Sequence, residues 1–211
     1  MKLLSNILYF CILKPWLWLS FQLFYQKIDV FNRKGNIPKG PLLLVSNHPN
    51  TLMDVVLSGI FTRRKVHFLA NAGLFRTAFN RWFFTLVFSI PIERRQDSGS
   101  RKLDNQGSFS RCIEFLEKGG CLYIAPEGSS WVERHLRPLK TGTARIALTT
   151  EAANDFMLGL QVLPLGINYA DQQAFQSQVS LSFGKPISIL QYKDLAQEHQ
   201  RRAAQQLTDD I

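Results

Sequence analysis

Short apolar runs alternate along this chain with longer segments that have the periodicity of amphipathic helices. The apolar runs predict buried strands at 42–45, 66–69, 89–92, 121–124 and 162–167, and an alternating run predicts a more exposed strand at 179–183. The segments between them predict helices from Thr51 onward and at 74–87, 101–118, 143–153 and 191–208. Strands that alternate with helices are typical of parallel sheets. We therefore predict an α/β fold, a single domain with a largely parallel sheet flanked by helices.

The first segment, residues 3–26, is apolar and aromatic, and Lys14 is its only charged residue. Lys14 and Pro15 separate two uncharged runs of 11 residues each, whereas a helix that crosses a bilayer needs about 20 apolar residues. We predict two short helices that lie in one leaflet, with aromatic side chains at the interface: Trp16, Trp18, Phe24 and Tyr25. One kinked spanning helix and a helical arm folded onto the protein's own core are the alternatives.

The chain is predicted to divide into three parts: an apolar, membrane-associating helical segment at 1–28, the α/β domain at 29–190 and a polar C-terminal helix at 191–211. Residues 27–40 are polar and contain Gly35, Pro38 and Gly40, which predict a linker or hairpin.

The composition narrows the possible partners. With 45% hydrophobic residues among 211, the chain can bury a sizeable core. Its net charge of +9 suits nucleic acid, anionic lipid or a phosphorylated substrate. No zinc-finger or aromatic RNA-binding pattern is present, so nucleic acid is not predicted. Neither the four histidines nor the three cysteines have metal-ligand spacing, which predicts no metal site and a cytoplasm-facing protein with reduced thiols: Cys11, Cys112 and Cys121.

The candidate chemistry lies between the strand at 42–45 and the helix that follows it. His48 and Asp54 are six residues apart, so they can meet only if His48 lies in a turn and the helix begins near Asn50 or Thr51. Pro49 favours an extended residue before it. An imidazole oriented by a carboxylate is the pairing that a general base needs. Alternatively, Asp54 caps the helix and His48 is an ordinary turn residue.

Two further loops are expected at the same edge of the sheet, because sites in such folds lie beyond the carboxyl ends of the strands. The loop after Ile92 contains Glu93, Arg94 and Arg95. The other loop contains Pro126-Glu127-Gly128 and is followed by polar and basic side chains: Ser129, Ser130, Arg134, Arg137 and Lys140. A basic lining around a His/Asp pair suits an anionic substrate whose hydroxyl group loses a proton.

Four blocks in this order resemble the glycerolipid acyltransferases, which include the lysophosphatidate and glycerol-3-phosphate acyltransferases. The blocks are Ser46-Asn47-His48 with Asp54, the segment 66–94 ending Ile90-Pro91-Ile92-Glu93-Arg94, Ala125-Pro126-Glu127-Gly128, and the segment 162–169. Gly184-Lys185-Pro186 also fits, and the resemblance covers roughly residues 40–186.

The resemblance implies transfer of a fatty acyl chain from a thioester to a hydroxyl of a phosphorylated glycerol, with His48 as base and Asp54 as its partner. It implies no cofactor, since the thioester of acyl-CoA or acyl carrier protein is a co-substrate. The expected partners are this acyl donor and the phospholipid bilayer. We predict seven substrate-binding residues: Asn47, Arg94, Glu127, Gly128, Ser130, Arg137 and Lys140.

The chain departs from the family's usual pattern at two positions. Five residues separate His48 from Asp54 where four are usual, and Ser130 stands where an arginine is usual. Similar sequences with both features include some that resemble glycerol-3-phosphate or dihydroxyacetone-phosphate acyltransferases, which favours those acceptors modestly. An acyltransferase for a non-glycerol acceptor such as an amino-lipid, and an inactive lipid-binding relative, are the alternatives.

Overall fold

The computed structural model describes residues 8–71, 73, 76–80, 89–92, 106–130 and 135–211. Its strands are β1 Lys27–Phe31, β2 Leu42–Ser46, β3 Val66–Asn71, β4 Ser89–Ile92, β5 Cys121–Ile124, β6 Gln161–Tyr169, β7 Gln178–Phe183 and β8 Ile187–Ser188. Its helices include a π-helix at Leu8–Leu13, α1 Lys14–Phe24, α2 Thr51–Thr62, α3 Gln106–Glu117, α4 Gly142–Ala152, a 3-10 helix at Ile189–Tyr192 and α5 Lys193–Asp210. The predicted helix at 74–87 lies outside the described residues except for 76–80. The predicted site residue Arg94 also lies outside them.

The strands form one mixed sheet in the order β1-β7-β6-β2-β5-β3-β4, with β8 paired to β6. Five of the seven pairings between described strands are parallel, and β6 pairs antiparallel with both β7 and β8. Strand β2 lies between β5 and β6 and is buried along its whole length. This burial explains why its sequence is a continuous apolar run instead of an alternating one.

Successive side chains of β2 enter two different cores, because neighbours on a strand point to opposite faces of the sheet. Leu42 and Leu44 belong to the core beneath α1 and α2. Leu43 and Val45 belong to the core beneath α3, α4 and α5. Helices thus cover both faces of the sheet, as predicted.

The predicted strands are confirmed as β2 to β7, but the prediction of a linker or hairpin over 27–40 was wrong at its start. Residues Lys27–Phe31 form β1, which pairs in parallel with β7. Ile28 and Val30 pack against the core beneath α1. The strand was missed because the charges of Lys27 and Asp29 mask its alternation. Its pairing partner also lies far away in the sequence.

Two elements bear on the predicted domain boundaries. The boundary at residue 28 falls inside β1, and α5 is confirmed as a helix whose Ala203, Ala204 and Leu207 are buried in the core. The polar C-terminal helix therefore packs on the α/β domain with one apolar face. The division of the chain into separate parts stays a prediction.

The N-terminal arm, defined as residues 8–25, is one helical segment that changes from π- to α-helix at Lys14, beside Pro15. One face is packed, with Phe21 and Tyr25 in the core beneath α2. The other face leaves apolar side chains exposed, among them Ile12, Trp16, Trp18, Leu19 and Leu23. Among the described residues, no helix is long and apolar enough to cross a membrane. The arm thus folds onto the core by one face, as in the alternative of a helical arm folded onto the protein's own core. Its attachment to a membrane stays a prediction.

Candidate active site

The turn between β2 and α2 places His48 at the carboxyl edge of the sheet. Strand β2 ends at Ser46 and α2 begins at Thr51, as the spacing required. The backbone N–H of His48 donates to Glu127 Oε1 at 2.9 Å, which ties this turn to the loop after β5. His48 is 7% exposed and its ring centroid lies 6.4 Å from that of Tyr123. The imidazole is therefore largely buried and held in place by its surroundings.

His48 and Asp54 form a buried pair. Nδ1 of His48 lies 3.0 Å from Oδ2 of Asp54. Asp54 is completely buried, with 0% exposure. A carboxylate only accepts hydrogen bonds, so Nδ1 carries a proton, and Nε2 is the nitrogen with the lone pair in the neutral form of the ring. The same Oδ2 accepts the backbone N–H of Asn50 at 2.7 Å. Asp54 thus also binds the backbone at the start of the helix, and the role of His48 as a base stays a prediction.

The other oxygen of Asp54 is bound by a residue that sequence reasoning missed. The hydroxyl of Tyr169, at the end of β6, donates to Asp54 Oδ1 at 2.6 Å. Burial, followed by the charge of Asp54, raises the pKa of Tyr169, so this hydroxyl remains a neutral donor. Tyr25 of the arm packs beside it with ring centroids 6.1 Å apart, and burial raises the pKa of Tyr25 to about 12. The end of the arm therefore supports the His/Asp pair.

Side-chain hydrogen bonds tie the turn that carries His48 to β6, to the loop after β6 and to the loop after β5. The amide of Asn47 donates to Ile167 O and accepts from Ile167 N, both at 2.8 Å, and so continues the pairing of β2 with β6. Asn50 Nδ2 donates to Gln172 O at 2.7 Å. Ser130 Oγ accepts the backbone N–H of Thr51 at 3.0 Å. These contacts give Asn47 and Ser130 structural roles, and their roles in binding substrate stay predictions.

The loop after β5 brings a cation toward the turn. Gly128 has φ +78°, and a Cβ on it would lie 2.5 Å from Nζ of Lys140, so the ammonium group occupies the space beside this glycine. The backbone N–H of Lys140 donates to Pro126 O at 2.9 Å. Lys140 thus lies next to Glu127, whose carboxylate binds His48. Arg137 lies three residues before Lys140 in the same segment and is half-buried.

A groove of about 620 Å³ opens beside this turn. It is lined by Asn47, Pro49 and Glu127 but not by the ring of His48. Tyr169, whose hydroxyl binds Asp54, also lines the groove. The groove therefore borders residues that hold the His/Asp pair, whereas the imidazole itself is not part of its wall.

No three His, Cys, Asp or Glu side chains group as metal ligands within the part of the chain that the structure describes.

The sequence profile of the family described as Acyltransferase matches residues 27–168, which include the His/Asp pair and Glu127. The chain belongs to the acyltransferase family.

The prediction of a glycerolipid acyltransferase is supported by relatives. The chain is 32% identical over 117 residues to glycerol-3-phosphate O-acyltransferase 2 of Saccharomyces cerevisiae, covering 53% of this chain and 16% of that one. It is 28% identical over 152 residues to a chloroplastic 1-acyl-sn-glycerol-3-phosphate acyltransferase of Brassica napus, covering 71% of this chain and 40% of that one.

A solved structure has the same fold as this acyltransferase. It is the 1-acyl-sn-glycerophosphate acyltransferase PlsC of Thermotoga maritima, with a TM-score of 0.61 and 20% sequence identity, covering 92% of this chain and 77% of that chain. At this identity the likeness concerns the fold alone. The two sequence relatives are far longer than the matched segment, so this chain spans less than half of their length.

We expect Tyr169→Phe to lower kcat of this acyltransferase roughly 10–100-fold. Its thermal stability should change little relative to that of its control variant, Tyr192→Phe. A hydrogen bond to a charged group contributes about 1.5–3 kcal/mol, and its loss leaves one oxygen of the buried Asp54 unbonded. The measurement is kcat and KM at several pH values beside the melting temperature.

The matched control for this substitution is Tyr192→Phe. Tyr192 donates to Asp210 Oδ2 at 2.5 Å in the same kind of Tyr–Asp pair, far from His48 in the fold. Equal kcat losses in the two variants would show that Tyr169 has only a structural role.

Proposed function

We propose that this protein transfers a fatty acyl chain from a thioester donor to a hydroxyl of a phosphorylated glycerol, with glycerol-3-phosphate or lysophosphatidate as acceptor. The buried pair of His48 and Asp54 at the edge of the sheet is the observation that carries the proposal. The family match and the names of the relatives support the reaction class.

His48 is the general base of the proposed reaction. Nε2 takes the proton of the acceptor hydroxyl while Asp54 stabilises the imidazolium through Nδ1–H. The acceptor oxygen then forms a bond to the thioester carbonyl carbon, and the tetrahedral intermediate collapses with loss of the thiolate. The imidazolium returns its proton to this thiolate, so the base is regenerated and no acyl-enzyme forms.

The acceptor phosphate is bound by cations around the loop after β5. Lys140 lies beside Gly128, the residue after Glu127, and the Glu127 carboxylate binds the backbone of His48. Together with Arg137 and with Arg94, it replaces the arginine that the family usually has at the position of Ser130. Helix α4 begins at Gly142, two residues after Lys140, and its free amides add to the attraction for an anion.

The donor is acyl-CoA or acyl carrier protein, and the reaction takes place on a membrane to which the N-terminal arm attaches. The exposed face of the arm supports this attachment, because Trp16 and Leu23 are each 65% exposed. Aromatic and aliphatic side chains on one helical face are typical of helices that lie in the interface of a bilayer. The catalytic domain faces the cytoplasm in this arrangement.

One assay grid with purified protein tests the proposed function. Acyl-CoA and acyl carrier protein donors are each combined with glycerol-3-phosphate, dihydroxyacetone phosphate, lysophosphatidate and a lyso-amino-lipid. Formation of product with the phosphorylated glycerols supports the proposal. Turnover only with the amino-lipid, or none with any pair, contradicts it.

Lys140→Ala should raise KM for the phosphorylated acceptor about tenfold without changing KM for the acyl donor. Contacts with charged groups contribute about 1.5–3 kcal/mol, and the exposure of Lys140 places its effect at the low end. Lys185→Ala is the control, because Lys185 is also exposed and lies beyond β7. Unchanged kinetics in Lys140→Ala would remove this residue from the phosphate site.

A further inference from the structure

Net positive charge is concentrated in the first third of the chain, because acidic residues are scarce there. Residues 1–71 contain nine of the 25 Lys and Arg residues but only two of the 16 Asp and Glu residues. Of these two carboxylates, Asp54 is buried in the catalytic pair and Asp29 pairs with Lys27 at 2.8 Å. Five of the cations line a single pocket of about 400 Å³ between the loop after β1 and the end of α2: Arg33, Lys34, Lys39, Arg63 and Arg64. We call the first four of these residues the basic cluster.

A fifth cation, Arg64, holds the pocket in shape. Its guanidinium group donates to Pro38 O and Gly40 O, both at 2.7 Å, and to Gly119 O at 3.0 Å. These bonds fix the loop that carries Arg33, Lys34 and Lys39 against the end of α2. The cluster is therefore organised before any ligand arrives, which reduces the entropy lost on binding.

Among the described side chains, carboxylates do not neutralise the charges of the cluster. Within the described ranges, no ion pair joins any of the four cations to an acidic side chain. The effect reaches Lys14 of the arm: burial in the first place, and then the charges of Arg63 and Arg33, lower the pKa of Lys14 to about 8. An anion bound at the cluster would relieve this repulsion.

The cluster lies at the opposite edge of the sheet from His48. Its loop enters the amino end of β2, and Arg63 precedes β3, whereas His48 follows the carboxyl end of β2. The five residues of β2 separate the two edges by roughly 15 Å. A glycerol phosphate held at the cluster is too short to present its hydroxyl to His48, so the cluster is not the acceptor site proposed above.

The arm connects the cluster to an apolar surface. The hydroxyl of Tyr9 donates to Arg64 O at 3.3 Å, and Nζ of Lys14 donates to Gly59 O at 3.2 Å. The exposed apolar face of the arm, which includes Ile12 and Trp16, begins beside these contacts. A bilayer presents both matching surfaces at once, since its acyl region accepts apolar side chains and its headgroups carry phosphate.

We propose that the basic cluster binds the phosphate groups of anionic phospholipid headgroups on the membrane to which the arm attaches. This inference rests on the proposed membrane attachment of the arm. Arginine and lysine both bind phosphate, and the two arginines of the cluster can each form paired hydrogen bonds with its oxygens. With the cluster beside the Tyr9 end of the arm and the His/Asp pair beside its Tyr25 end, the arm would lie flat on the bilayer and both edges of the sheet would lie near the membrane surface.

The test measures partition of the full-length protein onto two kinds of vesicle, phosphatidylcholine alone and phosphatidylcholine mixed with phosphatidylglycerol. Phosphatidylglycerol is chosen because it is neither an acceptor nor a product of the proposed reaction. The variant replaces all four cluster residues by alanine: R33A, K34A, K39A and R63A. The control variant removes the same charge on the α5 side of the sheet and beyond β7: K185A, K193A, R201A and R202A.

We expect wild-type protein to prefer the anionic vesicles, and the cluster variant to lose at least tenfold of this preference, since one cation near an anionic surface contributes roughly fivefold. The control variant should lose no more than about threefold, because its cations lie farther than a Debye length from the bound surface. Circular dichroism and melting temperature verify that both variants are folded. Equal losses in the two variants would mean that net charge alone acts, and would overturn the proposal.

Two competing ligands are separated by the same experiment. If millimolar inorganic phosphate abolished the preference of wild-type protein for anionic vesicles at constant ionic strength, the cluster would be a site for free phosphate. If the cluster variant kept its preference but lost binding to acyl carrier protein, the partner would be that protein. Both results overturn the headgroup proposal. Binding of wild-type protein to neutral vesicles reports on the arm alone, and its absence would count against the proposed attachment and not against the cluster.

Discussion

His48→Ala should lower acyl transfer by roughly 10²–10⁴-fold while the protein remains folded, because removal of a general base has this effect on rate. The ring makes few contacts that the fold needs. The backbone N–H of His48 still binds Glu127, and Asp54 still receives bonds from Asn50 and Tyr169. The measurement is steady-state kinetics with the best donor and acceptor, beside the melting temperature.

His199→Ala is the matched control, because His199 is an exposed histidine of α5, on the other face of the sheet. It should have wild-type kinetics. If soluble, folded His48→Ala retained near-normal turnover, His48 would have no part in the reaction and the mechanism proposed above would be wrong.

The second large effect is expected for Asp54→Asn, with a loss on the order of 10²–10⁴ in kcat. An amide can keep one oxygen toward His48 and Asn50, and its NH₂ group can donate to the hydroxyl of Tyr169. The geometry can therefore survive, but the negative charge that stabilises the imidazolium is gone. A fall in kcat with a small change in KM is the expected signature, because the charge acts most strongly on the transition state.

Asp29→Asn supplies the control for this change. Asp29 carries the same carboxylate on β1, where it forms a surface ion pair with Lys27. Surface pairs contribute at most about 1 kcal/mol, so this variant should keep wild-type activity. A loss of activity in Asp54→Asn that merely followed a loss of folded protein would assign Asp54 to the capping of α2 alone.

Several features of the molecule follow from local sequence. The apolar runs determined where β2 to β6 lie, because a strand buried on both faces needs consecutive apolar side chains. The turn at His48 and the start of α2 were also predicted, since Pro49 restricts its predecessor and the spacing to Asp54 permits contact only across a helix start. Each of these inferences involves residues that are neighbours along the chain.

Other features depend on contacts between distant segments. Tyr169 is 115 residues from Asp54 along the chain, and no local pattern distinguishes its hydroxyl from that of any other tyrosine at the end of a strand. Likewise, β1 was missed because its pairing with β7 joins segments that lie at opposite ends of the sequence.

The sequence by itself thus determined the class of fold, the position of the turn that carries His48 and the resemblance that the family match confirmed. Tertiary structure alone decided which side chains support the pair: Tyr169 at one oxygen of Asp54, Glu127 at the backbone of His48, and the end of the arm beside both. It also gathered the basic cluster around Arg64 from two loops. The physical reason is that hydrophobic periodicity specifies which residues are buried, whereas the partners of buried polar groups are specified by how the packed elements meet.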